Sequence, residues 1–257
     1  LMTYAVLEWI LIGLLIVTGG LAAGVIIREV WRRLLQKRLR SQSSACREVI
    51  NQHQIEHFRE VNKLMFQLRD NFDNDVVEGV LREFVKQELD ENTRGHVREI
   101  YRFFEFTDSY IRSLLSTRWR DRAEAAYTLG IIGDSKAVPH LISRMQDPDE
   151  DDQNVKMACA QALGMIRDDK AIPYLIESLE DVNQWSSVKV AELLVRFGES
   201  AVPALLKALQ NDTSLNQRIW SAQILGAIGS SASTPLLIQR LRDRDAHVRI
   251  AAVEALG

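Results

Sequence analysis

The stretch Ala137–Gly164 constrains this chain more than any other: AVPHLISRMQ, an acidic turn DPDEDDQN, then VKMACAQALG. Variants of it recur with Pro173, Pro203 and Pro235 in the place of Pro139, and with Gly130, Gly164, Gly198, Gly226 and Gly257 as the closing glycine. The glycines lie 34, 34, 28 and 31 residues apart. A repeat of this length is one small structural unit that cannot bury its apolar face alone and stacks on its neighbours. The fold class expected is all-α, a solenoid of about five helix pairs, and the class of function expected is binding and scaffolding.

Each unit reads as two helices. The first opens at a small residue and a proline, as in Ala171-Ile172-Pro173 and Ala201-Val202-Pro203. Proline fits a first helical turn because its missing N–H would have no intrahelical partner there. Apolar residues follow at helical spacing: Leu141 and Met145; Leu175, Ile176 and Leu179; Leu205, Leu206 and Leu209. The second helix is rich in alanine, the best helix former. Its closing glycine suits the left-handed residue that ends many helices.

Two polar positions repeat as well. An aspartate follows the first helix at Asp147, Asp181, Asp212 and Asp243, and a cation stands eight residues before the glycine at Arg122, Lys156, Arg218 and Arg249. The third unit departs slightly, with Lys189 nine residues before Gly198. Repeating residues serve repeating structure, so these are read as an internal ladder in which each aspartate caps a helix or pairs with a basic residue of its own or the next unit. The alternative is a charged binding groove.

The P-x-L of the first helix (Pro173-Tyr174-Leu175, Pro203-Ala204-Leu205), the aspartate in the turn, the V-[RK] of the second helix (Val155-Lys156, Val188-Lys189, Val248-Arg249) and the Ala-Leu-Gly close resemble the HEAT family. The likeness is to the short HEAT-like repeats also found in phycobilin lyase subunits, and it covers residues 108–257. The resemblance implies a right-handed superhelix of antiparallel helix pairs that binds protein partners along its faces. It implies a scaffold more than an enzyme.

The N-terminus carries a different signal. Trp9 to Ile27 is an uncharged apolar run of 19 residues, about 30 Å of helix and the thickness of a bilayer core. Tyr4, Trp9 and Trp31 stand where interfacial aromatics would. The cations Arg28, Arg32, Arg33, Lys37, Arg38 and Arg40 follow, against the single acid Glu29. The expectation is a single-pass transmembrane anchor over residues 1–27, a basic juxtamembrane segment over 28–40, and the repeat domain on the cytoplasmic side. A signal peptide would carry its positive charge before the apolar run, not after it. A buried helix is the remaining alternative. Gly20 and Gly24 form a G-x-x-x-G that would let two membrane helices approach closely. The basic flank would fix topology and attract anionic headgroups of the lipid bilayer, or dock on an acidic subunit.

Residues 41–107 read as a helical connector and N-terminal cap. Phe58, Val61, Met65, Leu68 and Phe72 step by 3, 4, 3 and 4 along a helix seam. Asn71–Asp75 reads as a turn, and Val77, Val80, Leu81, Phe84, Val85 and Leu89 mark the next helix. Thr93 is the expected N-cap after a second break. The aromatic cluster Tyr101, Phe103, Phe104, Phe106 and Tyr110 is expected to close the first unit of the solenoid rather than to form an exposed patch.

No catalytic, cofactor-binding or metal residue is assigned. His53-Gln54-Ile55-Glu56-His57 matches the H-x-x-E-H zinc signature, but it sits in an amphipathic helix with no third ligand in view. The acidic turn Asp147–Asp152 lacks the spacing of a calcium loop. A net charge of −3 argues against a nucleic-acid binder. Cys46 and Cys159 lie far apart, so no disulfide framework is expected and a reducing compartment is. Trp185 and Trp220 are read as packing residues, with partner anchoring as the alternative. The last helix, HVRIAAVEALG, is apolar enough to want a neighbour, so either the natural chain continues or another chain covers that edge. Leu1 before Met2 hints likewise at the other end.

The function expected is a membrane-anchored scaffold that docks protein partners, integral membrane subunits among them, and does no chemistry of its own. The alternatives are a homo-oligomeric membrane organiser and a subunit of a chromophore lyase.

Overall fold

The computed structural model describes residues 28–29, 32–34, 36–51, 58–87, 90–150, 152–180, 184–211 and 214–257. Every regular element among them is helical. The chain divides into two compact units, Leu1–Glu83 and Phe84–Gly257.

In the first unit residues 36–51 are helical, and α1 (Phe58–Asn71) and α2 (Asn74–Phe84) follow. The expected seam of α1 faces inward at Val61, Met65 and Leu68, joined by Leu64. On α2 the same is true of Val76, Val77, Val80 and Leu81. The expected turn between these helices is present. The Asp73 carbonyl there accepts from the N–H groups of Val76 and Val77 at 3.0 and 3.1 Å.

The second unit opens with α3 (Glu91–Phe103), α4 (Phe106–Ser113) and α5 (Trp119–Ile132). The cap of α3 is Asp90, not Thr93: the Asp90 carboxylate accepts from the Thr93 N–H at 2.9 Å and from the Thr93 hydroxyl at 2.6 Å. The aromatic cluster packs at the α3–α4 corner, with Phe104 stacked on Phe106 at 5.3 Å and Tyr101 edge-on to Phe106 at 5.9 Å. Tyr101, Phe104, Phe106 and Tyr110 are buried.

Four helix pairs complete the unit: α6 (Val138–Met145) with α7 (Gln153–Ile166), α8 (Ile172–Glu177) with α9 (Gln184–Phe197), α10 (Val202–Gln210) with α11 (Leu215–Ile228), and α12 (Thr234–Arg240) with α13 (Ala246–Leu256). Each first helix is entered through a 3-10 turn and carries its proline in the first turn, as the sequence predicts. The residue at the junction, Ala137, Ala171, Ala201 or Ser233, is buried, which is why it is small. The second helices stack in order, α5 on α7, α7 on α9, α9 on α11 and α11 on α13. Leu129, Leu163, Leu194 and Leu225 of this layer meet the core with Leu141, Leu175, Leu205 and Leu237 of the first helices. Each such leucine contributes about 1.5–3 kcal/mol by leaving water.

The closing glycines do something other than end helices. Gly130, Gly164 and Gly226 lie inside α5, α7 and α11. The left-handed residues at the helix ends are Gly133 (φ 72°), Arg167 (φ 57°) and Gly229 (φ 73°), three residues later. Of the second-helix closing glycines, Gly198 has the expected positive φ, 58°. Gly130, Gly164 and Gly226 mark close approach between neighbouring second helices. A Cβ on Gly130 would stand 2.7 Å from the Ala162 Cα, and one on Gly226 would stand 2.6 Å from the Ala255 Cα.

The expected membrane localisation is corrected. No helix among the described residues is long and apolar enough to cross a membrane. The helices with stated bounds reach at most 14 residues, about 21 Å at 1.5 Å per residue against a core of about 30 Å. Helical residues 36–51 carry Lys37, Arg38, Arg40, Arg47 and Glu48. The apolar run Trp9–Ile27, with Gly20 and Gly24, lies outside the described residues, so no described element supports a single-pass anchor or a cytoplasmic side for the repeats.

Candidate partner-binding grooves

The repeating charges brace the stack. Arg122, at the start of α5, forks onto Glu150 in the acidic turn of the next repeat, with Nε to Oε2 and Nη2 to Oε1 both at 2.7 Å. Its Nη1 donates to the Ser116 carbonyl at 2.9 Å. Glu150 is buried at 2% exposure. The Arg122 fork holds its carboxyl below the usual range against the cost of burial. Arg144 completes the cluster, 2.8 Å from Asp147 and 3.6 Å from Glu150.

Arg218 repeats the arrangement on α11. It is buried, its Nη1 donates to the carbonyls of Asn211 and Ser214 at 3.2 and 3.4 Å, and its Nε stands 3.5 Å from Asp243 of the following turn. Arg240 plays the part of Arg144, 3.3 Å from Asp243. Arg249 donates to the carbonyls of Asp243 and Arg244 at 2.9 and 3.2 Å. Arg122, Arg218 and Arg249 thus each satisfy carbonyls of the turn before their own helix, and the first two also reach an acid of the next repeat. Lys156 is half-buried and lines a groove, while Asp181 and Asp212 lie outside the described residues.

Glu150 was not singled out from the sequence, which pointed to Asp147. The signal was countable. Glu150 stands five residues before Val155, as Asp243 stands five before Val248, because the turn after Asp147 is three residues longer. Its burial is visible only in three dimensions.

A second brace closes the N-terminal end of this unit. The Arg102 Nε donates to Asp134 at 2.7 Å, and the Asp134 carboxylate also accepts from the Lys136 N–H at 3.0 Å. Burial works against the charged form of Asp134, but the Arg102 guanidinium and the Lys136 N–H outweigh it and hold the carboxyl below its ordinary value.

Open grooves also lie among the described helices, and two of them each touch four helices. The first, about 290 Å³, lies among α6, α7, α8 and α9. Met145, Met157, Tyr174 and Val190 give it an apolar lining, and Lys156 and Glu177 stand within it. Gln146 donates to Glu177 across it at 2.7 Å. The second, about 690 Å³, runs from the start of α3 over the last turns of α5, α7 and α9. Tyr127, Ile131, Met165 and Ile166 line it, and Lys86, Arg94, Arg98, Arg167 and Arg196 surround them with the single carboxylate Glu91. Arg98 donates to Glu91 at 2.8 Å and to the Gly133 carbonyl at 3.3 Å.

The other sequence-picked residues are dispersed. Arg28, Arg32, Arg33, Lys37, Arg38 and Arg40 are exposed in the first unit, where Arg32 and Arg33 pair with Glu29 at 3.0 and 3.1 Å. The His53–His57 motif lies outside the described residues, as does the side chain of Trp185, and Trp220 is half-buried. Cys46 and Cys159 are free and buried. Burial pushes their thiols up to about 11 and about 12, where the nucleophilic thiolate is scarce. Among the described residues no cluster of three or more His, Cys, Asp or Glu could hold a metal ion.

Several known proteins resemble this chain in part. Among solved structures, the complex of CpcE and CpcF of phycocyanin lyase from Nostoc sp. PCC7120 matches at 27% identity and a TM-score of 0.40, over 58% of this chain. The chain spans 63% of that protein's length. An engineered protein matches at 19% identity and a TM-score of 0.39, over 77% of this chain and 95% of its own. Human deoxyhypusine hydroxylase, in complex with glycerol, matches at 17% identity and a TM-score of 0.27, over 71% and 98%. Comparison with curated proteins returns no match. The profile of HEAT repeats matches residues 109–191 and 181–257, more than half of the sequence. With its stacked helix pairs and recurring prolines, the chain belongs to the HEAT-repeat family.

Proposed function

We propose that this protein is a scaffold that holds a partner protein against its repeats and carries out no chemistry itself. HEAT repeats commonly mediate protein–protein interaction. The observation that supports the reading here is the pair of open grooves left between repeats that are otherwise cross-braced by Arg122–Glu150 and Arg218–Asp243. Rigid concave surfaces of this kind bind with little ordering cost. Methionines such as Met145 and Met157 adapt to the shape of an incoming side chain. No observation favours the lyase-subunit alternative.

Site-specific photo-cross-linking tests the proposal, with the probe at Tyr174 in the first groove, at Tyr127 in the second, or at Lys207 on α10 outside both. The expected result is one protein, identified by mass spectrometry, captured from a groove position and absent at Lys207. Capture that does not distinguish the three positions overturns the reading. Capture of second copies alone replaces it with self-association.

A further inference from the structure

We infer that the second groove binds an acidic, partly apolar peptide segment of the partner; this deepens the scaffold reading and rests on it. The argument begins with charge. The whole chain carries a net −3, yet five cations and one carboxylate surround this groove. Such a concentration against the sign of the whole molecule attracts an anionic ligand and raises its association rate.

The side-chain geometry narrows the ligand. Arg167 sits at the left-handed end of α7 and Arg196 in the last turn of α9, both exposed. On the opposite wall Arg98 is held by Glu91 and the Gly133 carbonyl, so one guanidinium is already oriented. Between the walls lie the half-buried Ile131, Met165 and Ile166 and the exposed Tyr127. A ligand that satisfies both parts presents carboxylates to the walls and apolar side chains to the floor. A volume of about 690 Å³ lies within the roughly 300–1,000 Å³ of sites that enclose a small ligand, so it receives a short segment and not a folded domain. A nucleic acid fits less well: the protein as a whole is acidic, with a pI of about 6.0, and the groove floor is apolar rather than a continuous basic track.

Cations near helix C-termini also offset the helix dipole, and the test separates that structural role from binding. The full chain is titrated into a fluorescent peptide of alternating acidic and apolar residues, read by anisotropy. A peptide with lysine at the acidic positions and a single-stranded RNA oligomer serve as competitors. The acidic peptide is expected to bind and to weaken as salt is raised from about 50 to 150 mM, because the Debye length shortens. Arg167→Glu with Arg196→Glu is expected to weaken it about tenfold or more, while Lys207→Glu with Arg242→Glu outside the groove leaves it unchanged. Circular dichroism confirms that both variants remain folded; should the first pair unfold, Arg167→Gln with Arg196→Gln takes its place with the same expectation. Absence of binding at low salt, equal loss in both variant pairs, or tighter binding of the RNA overturns the inference. If the peptide fails while a partner still cross-links at Tyr174, the acidic-segment assignment falls and the scaffold reading stands.

Discussion

Gly130→Ala asks whether the spacing between repeats is set by glycine. The substitution adds one methyl group inside α5, where the new Cβ would lie 2.5 Å from the Met165 Cε, 2.7 Å from the Ala162 Cα and 3.0 Å from the Ala162 Cβ. The Met165 tip can move aside, but the Ala162 backbone moves only with α7. Alanine gains about 0.8–1.0 kcal/mol over glycine in helix propensity. Overpacking of a close interface costs about 1–3 kcal/mol. The expected net change is a loss of about 1 kcal/mol. Gly164→Ala shares the propensity gain, but its Cβ meets only the Leu193 side chain, nearest at 2.5 Å from Cδ2. That leucine can change rotamer, so its net change should be near zero. Urea unfolding followed by far-UV circular dichroism measures both, with equal m-values required for the comparison. The glycine Gly79 on α2 provides the baseline, since a Cβ there meets nothing within 4 Å; Gly79→Ala should stabilise its own unit by about 0.5–1 kcal/mol. If Gly130→Ala stabilises the repeats as Gly79→Ala stabilises the first unit, the close approach does not determine the repeat spacing.

Three further outcomes are expected. Arg122→Met should cost about 3–5 kcal/mol because it strands the buried Glu150 carboxylate, while Arg122→Met with Glu150→Met should recover most of that loss in a double-mutant denaturation cycle. Glu150 and Asp134 titrate below their ordinary 4.5 and 3.8 in the folded chain, so their stabilisation is complete above those values and disappears as pH falls through the lowered ones. Glu150→Gln should therefore flatten the fall of stability with acid below about pH 4.5, and an unchanged slope would remove Glu150 from the account. Cys46 and Cys159, with thiols raised to about 11 and about 12 by burial, should resist a thiol-disulfide reagent at neutral pH in the native chain and react at once in urea; rapid native labelling would contradict their burial.

The repeats were legible because they rest on local rules. Proline in a first helical turn, an apolar residue every three or four positions and an alanine-rich second helix are requirements of backbone geometry and solvent exclusion, so Pro139, Pro173, Pro203 and Pro235 announce their helices wherever the chain goes. Other features depend on what lies across the gap between helices. Gly130, Gly164 and Gly226 look like helix ends in one dimension, and only the packing of α5 on α7, α7 on α9 and α11 on α13 shows them to be contact points. Glu150 rather than Asp147 receives Arg122 because three added residues carry it to the buried side of the turn. The basic groove has no sequence signature: Arg98 lies on α3, ahead of the matched repeats, while Arg167 and Arg196 lie at the ends of α7 and α9, and only the packed structure brings them to one groove.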